Sequence, residues 1–315
     1  MTHLLDGKAA ATEIRTELTA AVRDLMAAGR RAPGLAAVLV GEDPASHVYV
    51  SSKIKGCAEV GMESRTIRLP ATTSEEEVLA LVDGLNRDDA VDGILVQLPL
   101  PRGVNERRVL DSVDPSKDVD GFHPMSVGRL WLDQEGFVSA TPGGILELLR
   151  RNQIPLAGRH AVVVGRSAIV GKPMAALLLR ENCTVSICHS RTRDLAAITR
   201  QADVLVAAVG RPAFLGADHV REGAVVIDGG IIRVQDPVEV ERLFPGDEAR
   251  RQQLAARGST IVGDVDFTRV APLASAITPV PGGVGPLTVA MVLANTLNAA
   301  RRRQGLSTFH FGVRP

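Results

Sequence analysis

"VVVGRSAIVGKPMAALLL" (162–179) decides the fold. Three valines run into Gly165, a turn leads to Gly171, and a run rich in Ala and Leu follows. A β-branched apolar run predicts a buried strand, the glycines a tight turn, and the Ala/Leu run a helix. In this arrangement the unpaired N–H groups of the helix face the turn and suit a pyrophosphate. The match to G-x-G-x-x-G is incomplete, because Ser167 stands where the second glycine would be. A strand-to-helix turn that simply needs its glycines is the competing reading.

The next strand, "TVSICHS" (184–190), sharpens the choice. A dinucleotide unit that prefers NAD ends its second strand with a carboxylate for the ribose 2′-hydroxyl. This strand ends in Ser190 and Arg191 with no carboxylate beside them, and Arg166 lies in the turn itself. Cationic and hydroxyl groups suit a 2′-phosphate, so NADP is the expected cofactor.

Working outward, strands and helices alternate through most of the chain. "RHAVVVG", "TVSICHS", "DVLVAAVG", "AVVIDGG", "TIVGDVDF" and "ASAITPV" read as strands of a second α/β unit that begins near residue 158. Before it, "LAAVLVG" (35–41), "SRTIRL" (64–69) and "DGILVQLPL" (92–100) read as strands. Residues 47–61 and 74–86 read as helices, the latter with a capping box from Ser74 to Glu77. Strands apolar on both faces and separated by helices predict parallel sheets. The boundary falls in "QEGFVSATPGG" (134–144), and a long helix, "PLTVAMVLANTLNAARR", closes the chain. The N-terminus, "MTHLLDGKAAATEIRTEL", reads as amphipathic helix without an apolar signal region.

At 315 residues the chain is long enough for two domains. Lys plus Arg equals Asp plus Glu at 36 each, so no net field favours nucleic acid or an anionic membrane. Cys57, Cys183 and Cys188 lack metal-site spacing and are odd in number, so no metal and no disulfide framework is expected. No apolar run nears the ~18 residues of a membrane span. A soluble cytoplasmic protein is expected.

"HVYVSSKIKG" (47–56) holds the only tyrosine, with lysines at 53 and 55. At about 100° per residue, Val50, Ile54, Cys57 and Gly61 share the buried stripe of a helix. Tyr49 and Lys53, at i and i+4, stack on its edge, while Lys55 lies on the far side. A lysine stem laid along an aromatic ring explains such a pair without any chemistry. The other reading is a half-buried lysine whose ammonium is disfavoured, available for proton transfer near neutral pH. Three further stretches bear on the choice. "VQLPLP" (96–101) aims Gln97 from the end of a strand, "SKDVDGFHP" (116–124) sets Asp118 and Asp120 around a glycine turn, and "ITPVPGGVGPLTVAM" (277–291) joins a strand to the last helix through Pro and Gly.

Taken in order with "VVIDGGI" and "VGDVDF", these stretches resemble the bifunctional methylenetetrahydrofolate dehydrogenase/methenyltetrahydrofolate cyclohydrolase family, from about residue 4 to 300. The resemblance implies two α/β domains with a cleft between them, the second Rossmann-like. A folate-binding catalytic domain would span 1–140 plus 287–315, and an NADP-binding domain 141–286. It implies oxidation of 5,10-methylenetetrahydrofolate with NADP⁺ and hydrolysis of the product to 10-formyltetrahydrofolate, with tetrahydrofolate derivatives as partners and a homodimer as the assembly. Lys53 stands at the family's catalytic lysine and Tyr49 at the residue that stacks on folate. Gln97 would tune the lysine, and Asp120 would hold the pterin. Pro281, Gly282 and Gly283 would line the folate pocket, and Gly165, Arg166, Ser167 and Ser190 match NADP-binding positions. A shikimate or amino-acid dehydrogenase on a similar plan would not explain PVPGGVGP, and a binder without turnover has no use for a buried lysine.

Four departures stand out. "SATP" (139–142) replaces the family's "PCTP", Gly56 replaces an alanine, and Ile232 replaces an asparagine after "DGGI". Glycine at 56 should weaken its helix by roughly 1 kcal/mol. The stretch 233–258 is longer than the usual connector, charged and helix-prone, and is expected to be a surface insertion. No G-x-x-x-x-G-K-[ST] loop occurs, so the short, two-activity form is expected.

Overall fold

The computed structural model describes residues 2–311; Met1 and 312–315, at the two ends of the expected folate-binding domain, lie outside them. Two compact units divide the chain. One runs up to Ala10 and again over Thr141–Leu287; the other covers Ala11–Ala140 and the chain from Thr288.

The N-terminus is not helical throughout. It opens with β1 (His3–Leu4), paired in parallel with Ala276–Ile277, before α1 (Gly7–Ala27) starts. Asp6 sets that start: its Oδ1 accepts the N–H groups of Lys8 and Ala9 at 2.9 and 3.0 Å.

In the smaller sheet β2 (Gly34–Val40) is buried at every position. After α2 (Pro44–Val60) come β3 (Glu63–Leu69), α3 (Glu75–Arg87) and β4 (Gly93–Val96). The order is β3-β2-β4, and both neighbours run parallel to β2. The capping box on α3 is formed, with Ser74 Oγ accepting from Glu77 N–H and the Glu77 carboxylate from Ser74 N–H. The strand expected over 92–100 stops at Val96, since Pro99 and Pro101 have no N–H for a ladder. Helices α4 (Glu106–Asp111) and α5 (Pro124–Trp131) follow. Val78, Val82 and Leu85 pack on Val38, Ile94, Val96 and Val109 to form this unit's core.

The larger unit continues with α6 (Ala140–Arg151), β5 (His160–Val164), α7 (Gly171–Arg180), β6 (Thr184–Cys188), α8 (Leu195–Thr199), β7 (Val204–Ala207) and β8 (Val225–Asp228). Then come β9 (Ile232–Val234), α9 (Pro237–Leu243), α10 (Glu248–Arg257), β10 (Thr260–Val262), α11 (Phe267–Val270) and β11 (Ala276–Ile277). The last helix, α12, spans Val284–Arg303. Six strands form one all-parallel sheet in the order β1-β11-β8-β7-β5-β6. The chain steps from β5 out to β6 and returns to β7 on the other side, so strand order reverses between β5 and β7. Open α/β sheets bind ligands at the carboxyl ends of such strands.

One expectation fails in this unit and a second is incomplete, since 233–258 lies mostly at the surface but not wholly so. "TIVGDVDF" is not a strand of the main sheet: β10 pairs antiparallel with β9 in a separate ribbon, and Phe267 begins α11. Nor is 233–258 merely a surface insertion. Its helices α9 and α10 join the ribbon's strands, and Val240, Leu243 and Phe244 pack with Val234 and Val262 in a small core of their own. Ile232, which replaces the family's asparagine, packs against that core. Among the described residues no helix is long and apolar enough to cross a membrane.

Candidate active site

Helix α2 carries Tyr49 and Lys53. Asp43 caps it through the Ser46 N–H, Pro44 occupies its first turn, and Gly61 ends it at φ 80°. Val50, Lys53, Gly56, Cys57 and Val60 are buried, while Ile54 is only half-buried and Lys55 faces out beside Glu59. Lys53 is thus 6% exposed and sits inside the stripe, one position round from the edge where periodicity places it. Tyr49 is half-buried one turn before it. Gly56 has a packing reason: a Cβ there would stand 3.1 Å from Leu293 Cδ1 and 3.4 Å from Val289 Cγ1.

Lys53 Nζ donates to Gln97 Oε1 at 3.2 Å. Gln97 spends its own Nε2 on the Leu98 carbonyl at 2.8 Å, which turns its oxygen towards the lysine. Burial pushes the Lys53 ammonium below the usual lysine range, with the Asp120 charge opposing that shift. Asp120, 8% exposed, is pushed up to about 6 by burial, against the pull of Lys53 and with Asp118 adding to the rise. Lys53 and Asp120 are thus buried and electrostatically linked, and half-buried Gln97 is bonded to the lysine.

The Asp120 loop is held from three sides. Ile94 N–H donates to the Lys117 carbonyl, so the loop extends the sheet beside β4. Asp118 is spent on the loop that leads into α5: it accepts from Phe122 N–H, His123 N–H and Ser126 Oγ at 3.1, 2.9 and 2.6 Å. Asn295 of α12 donates to the Val119 and Val138 carbonyls at 2.8 and 3.0 Å. Gly121 is required at φ 71°, because a Cβ would lie 2.6 Å from Ser139 N.

The remaining candidates belong to the other unit. Pro281, Gly282 and Gly283 form the turn before α12, closed by Gly283 N–H on the Pro279 carbonyl at 2.8 Å. At the sheet's reversal point a Cβ on Gly165 would stand 2.1 Å from the Ala208 carbonyl oxygen, and one on Gly171 2.2 Å from that of Gly165. Only bare backbone fits there, which leaves an open approach to the first turn of α7. Ser167 Oγ accepts from Val170 and Gly171 N–H at 3.1 and 3.2 Å and so shapes the loop itself. Arg166, Ser190 and Arg191 are exposed at the ends of β5 and β6. Backbone donors, two guanidiniums and a hydroxyl without a competing carboxylate fit NADP.

Sequence reasoning missed two buried acids here. Asp228, at the end of β8, accepts from Gly230, Asp264 and Val265 N–H at 2.9, 2.8 and 3.0 Å. Asp264 accepts from Val209 and Arg211 N–H at 2.7 and 2.8 Å. They tie together the loops after β7, β8 and β10, and burial pushes Asp228 up to about 7 despite its three donors. The signal was an acid beside glycine in both "DGG" and "GDV"; a Cβ at Gly263 would collide with the Asp228 carboxylate at 1.8 Å.

The catalytic-domain model of tetrahydrofolate dehydrogenase/cyclohydrolase matches residues 5–120, and its NAD(P)-binding-domain model residues 139–304. A curated relative, bifunctional protein FolD 3 of Rhizorhabdus wittichii, is 56% identical over 305 residues, covering 97% of this chain and 95% of that protein. The crystal structure of the bifunctional FolD methylenetetrahydrofolate dehydrogenase/cyclohydrolase from Campylobacter jejuni is 45% identical with a TM-score of 0.87, covering 96% of this chain and all of that one. The Trypanosoma brucei enzyme, solved with NADP cofactor and an inhibitor, is 37% identical with a TM-score of 0.87 over 96% of this chain and 98% of its own. With both domain models matched in order, the chain belongs to the tetrahydrofolate dehydrogenase/cyclohydrolase family.

Proposed function

We propose that one cluster, Lys53–Gln97–Asp120, carries the folate chemistry of this chain, and that the unit holding it is the folate-binding catalytic domain. The chain is a bifunctional enzyme: it oxidises 5,10-methylenetetrahydrofolate with NADP⁺ and hydrolyses the methenyl product to 10-formyltetrahydrofolate. The observation that supports the site is a buried lysine bonded to a glutamine oxygen and within the field of the Asp120 carboxylate, its proton affinity lowered by burial.

NADP⁺ supplies the hydride acceptor for the first step, and Gly165, Arg166, Ser167, Ser190 and Arg191 of the other unit hold it. That step needs orientation above all, since the cation left behind is stabilised by its two flanking nitrogens. Tyr49 stacks on the folate. Asp120 accepts two hydrogen bonds from the pterin amino group and ring N–H, which fixes the ring's register. Pro281–Gly283 line the folate pocket. In the second step water adds to the methenyl carbon and neutral Lys53 takes a proton from it. The carbon–nitrogen bond then breaks as the hydroxyl oxygen becomes the formyl carbonyl and gives up its proton to solvent, and the Lys53 ammonium returns the first proton to the leaving nitrogen. Gln97 Oε1 keeps the lysine aimed throughout. The family resemblance also supports a homodimer, and three free buried thiols suit a reducing cytoplasm.

Two experiments test these assignments. Asp120 can accept both pterin hydrogen bonds only when ionised, so the KM for methylenetetrahydrofolate should rise as pH falls through about 6, by up to about tenfold per unit below it. Asp120→Asn should raise KM and flatten that dependence. A wild-type KM flat down to about pH 5 would remove Asp120 from substrate binding. For the cofactor, Arg191→Ala combined with Arg166→Ala should raise the KM for NADP⁺ about tenfold or more and barely change that for NAD⁺. An equal effect on both would show that neither arginine reads the 2′-phosphate.

A further inference from the structure

The stretch 233–258 brings one side chain onto the glycine-proline turn. Arg250 of α10, with its side chain only 16% exposed, donates Nη2 to the Val280 carbonyl at 2.8 Å and Nη1 to the Ile261 carbonyl at 2.7 Å. Its guanidinium lies 3.8 Å from the centre of the Phe244 ring, and its carboxylate partner is Asp247, three residues earlier on the same helix, at 3.3 Å. Burial of this cation is the largest influence on its proton affinity and lowers it. A part-buried guanidinium spent on two carbonyls is a costly way merely to close a loop, because apolar packing would do that without desolvating a charge. Leu243, Phe244, Val234 and Val262 already supply such packing.

The turn it reaches is also fixed by backbone. Lys8 N–H donates to the Gly282 carbonyl at 3.1 Å, and Gly7 lies so close that a Cβ would stand 1.6 Å from the Gly283 carbonyl oxygen. Gly282 is at φ 109° and Pro279 and Pro281 have no N–H, so few internal hydrogen bonds are open to the turn. Holding it in one shape takes outside contacts, and the chain supplies two: the start of α1 and Arg250.

We propose that Arg250 is a positioning residue for the folate-binding turn, and that 233–258 serves to hold its guanidinium against the Val280 carbonyl so that Pro281–Gly283 stand preformed for the substrate. This rests on the reading of Pro281–Gly283 as folate-lining. A preformed turn saves the ordering cost that a loose one would take from substrate affinity. The effect therefore falls on folate KM in both reactions and not on NADP⁺.

The test compares Arg250→Met, Arg250→Lys and Gly283→Ala in the full chain, measuring KM for methylenetetrahydrofolate, for the methenyl substrate supplied directly, and for NADP⁺, with the melting midpoint alongside. Arg250→Met should raise both folate KM values about tenfold and leave the NADP⁺ KM within about twofold. Arg250→Lys, which keeps the charge and one donor, should recover part of the loss; it also serves as the deciding variant if Arg250→Met does not fold. Folate KM values within about twofold of wild type in both Arg250 variants would overturn the proposal, as would a fall in melting midpoint with equal losses for folate and NADP⁺. Gly283→Ala separates the two levels, because its Cβ would meet the Pro279 carbonyl oxygen at 2.6 Å. If it leaves folate KM unchanged, the folate-lining reading falls with the proposal; if it raises folate KM while the Arg250 variants do not, the proposal alone falls.

Discussion

Lys53→Met should lower cyclohydrolase turnover by about 10²–10⁴-fold while NADP⁺ binding stays at the wild-type level. Methionine keeps the length and apolar stem of the lysine, so the buried stripe that Lys53 shares with Val50, Cys57 and Val60 on α2 stays filled. What disappears is the one amine that Gln97 Oε1 aims and whose proton affinity burial lowers. Water addition and ring opening both need a proton carrier, whereas hydride transfer does not. The two activities should therefore separate, with methenyltetrahydrofolate disappearing only at its uncatalysed rate when supplied directly. Cyclohydrolase turnover near the wild-type rate would exclude Lys53 as the proton carrier. Loss of NADP⁺ binding would show instead that the substitution damages the fold.

The second large effect is on stability. Lys117 is fully buried beside the active-site loop, and its Nζ donates to the Leu85, Asn86 and Asp88 carbonyls at 2.9, 2.7 and 2.8 Å. These are among the carbonyls at the end of α3 that have no partner within the helix, where a cation is also favoured by the helix dipole. Lys117→Met fills the same space but removes a charged donor from three carbonyls. Those of Leu85 and Asp88 keep the N–H groups of Asp88 and Val91, while that of Asn86 is left without a donor. The cost is about 1–3 kcal/mol for the orphaned acceptor and about 1 kcal/mol for each of the other two bonds. A net loss of about 3–5 kcal/mol is expected, which lowers the melting midpoint by about 10 °C for a unit of this size. A midpoint within about 2 °C of wild type would mean that water reaches those carbonyls in the variant.

Both residues show what could be read from the sequence and what could not. Periodicity placed Lys53 on the tyrosine's side of α2 and Lys55 in solvent, and the structure agrees. It could not bury the lysine, because burial depends on Gln97 and Asp120 arriving from loops 44 and 67 residues away. Lys117 gave no signal at all, since its three acceptors belong to a helix end some 30 residues earlier. The parallel sheets were legible because β2, β5 and β7 are apolar at nearly every position. The β9–β10 ribbon was not: its strands have three residues each and pair across α9 and α10, a long-range register that local pattern does not encode. Gly56 reads as a helix weakness until Leu293 and Val289 are seen against it.

The measurement that bears most directly on the account is a time course of the purified protein with methylenetetrahydrofolate, run in parallel with NADP⁺ and NAD⁺. Reduced cofactor and the methenyl product are followed separately by absorbance. Reduced cofactor should form faster with NADP⁺, and little methenyltetrahydrofolate should build up, because the Lys53 site consumes it. Absence of reduced cofactor, or methenyltetrahydrofolate accumulating and decaying at its uncatalysed rate, would contradict the account.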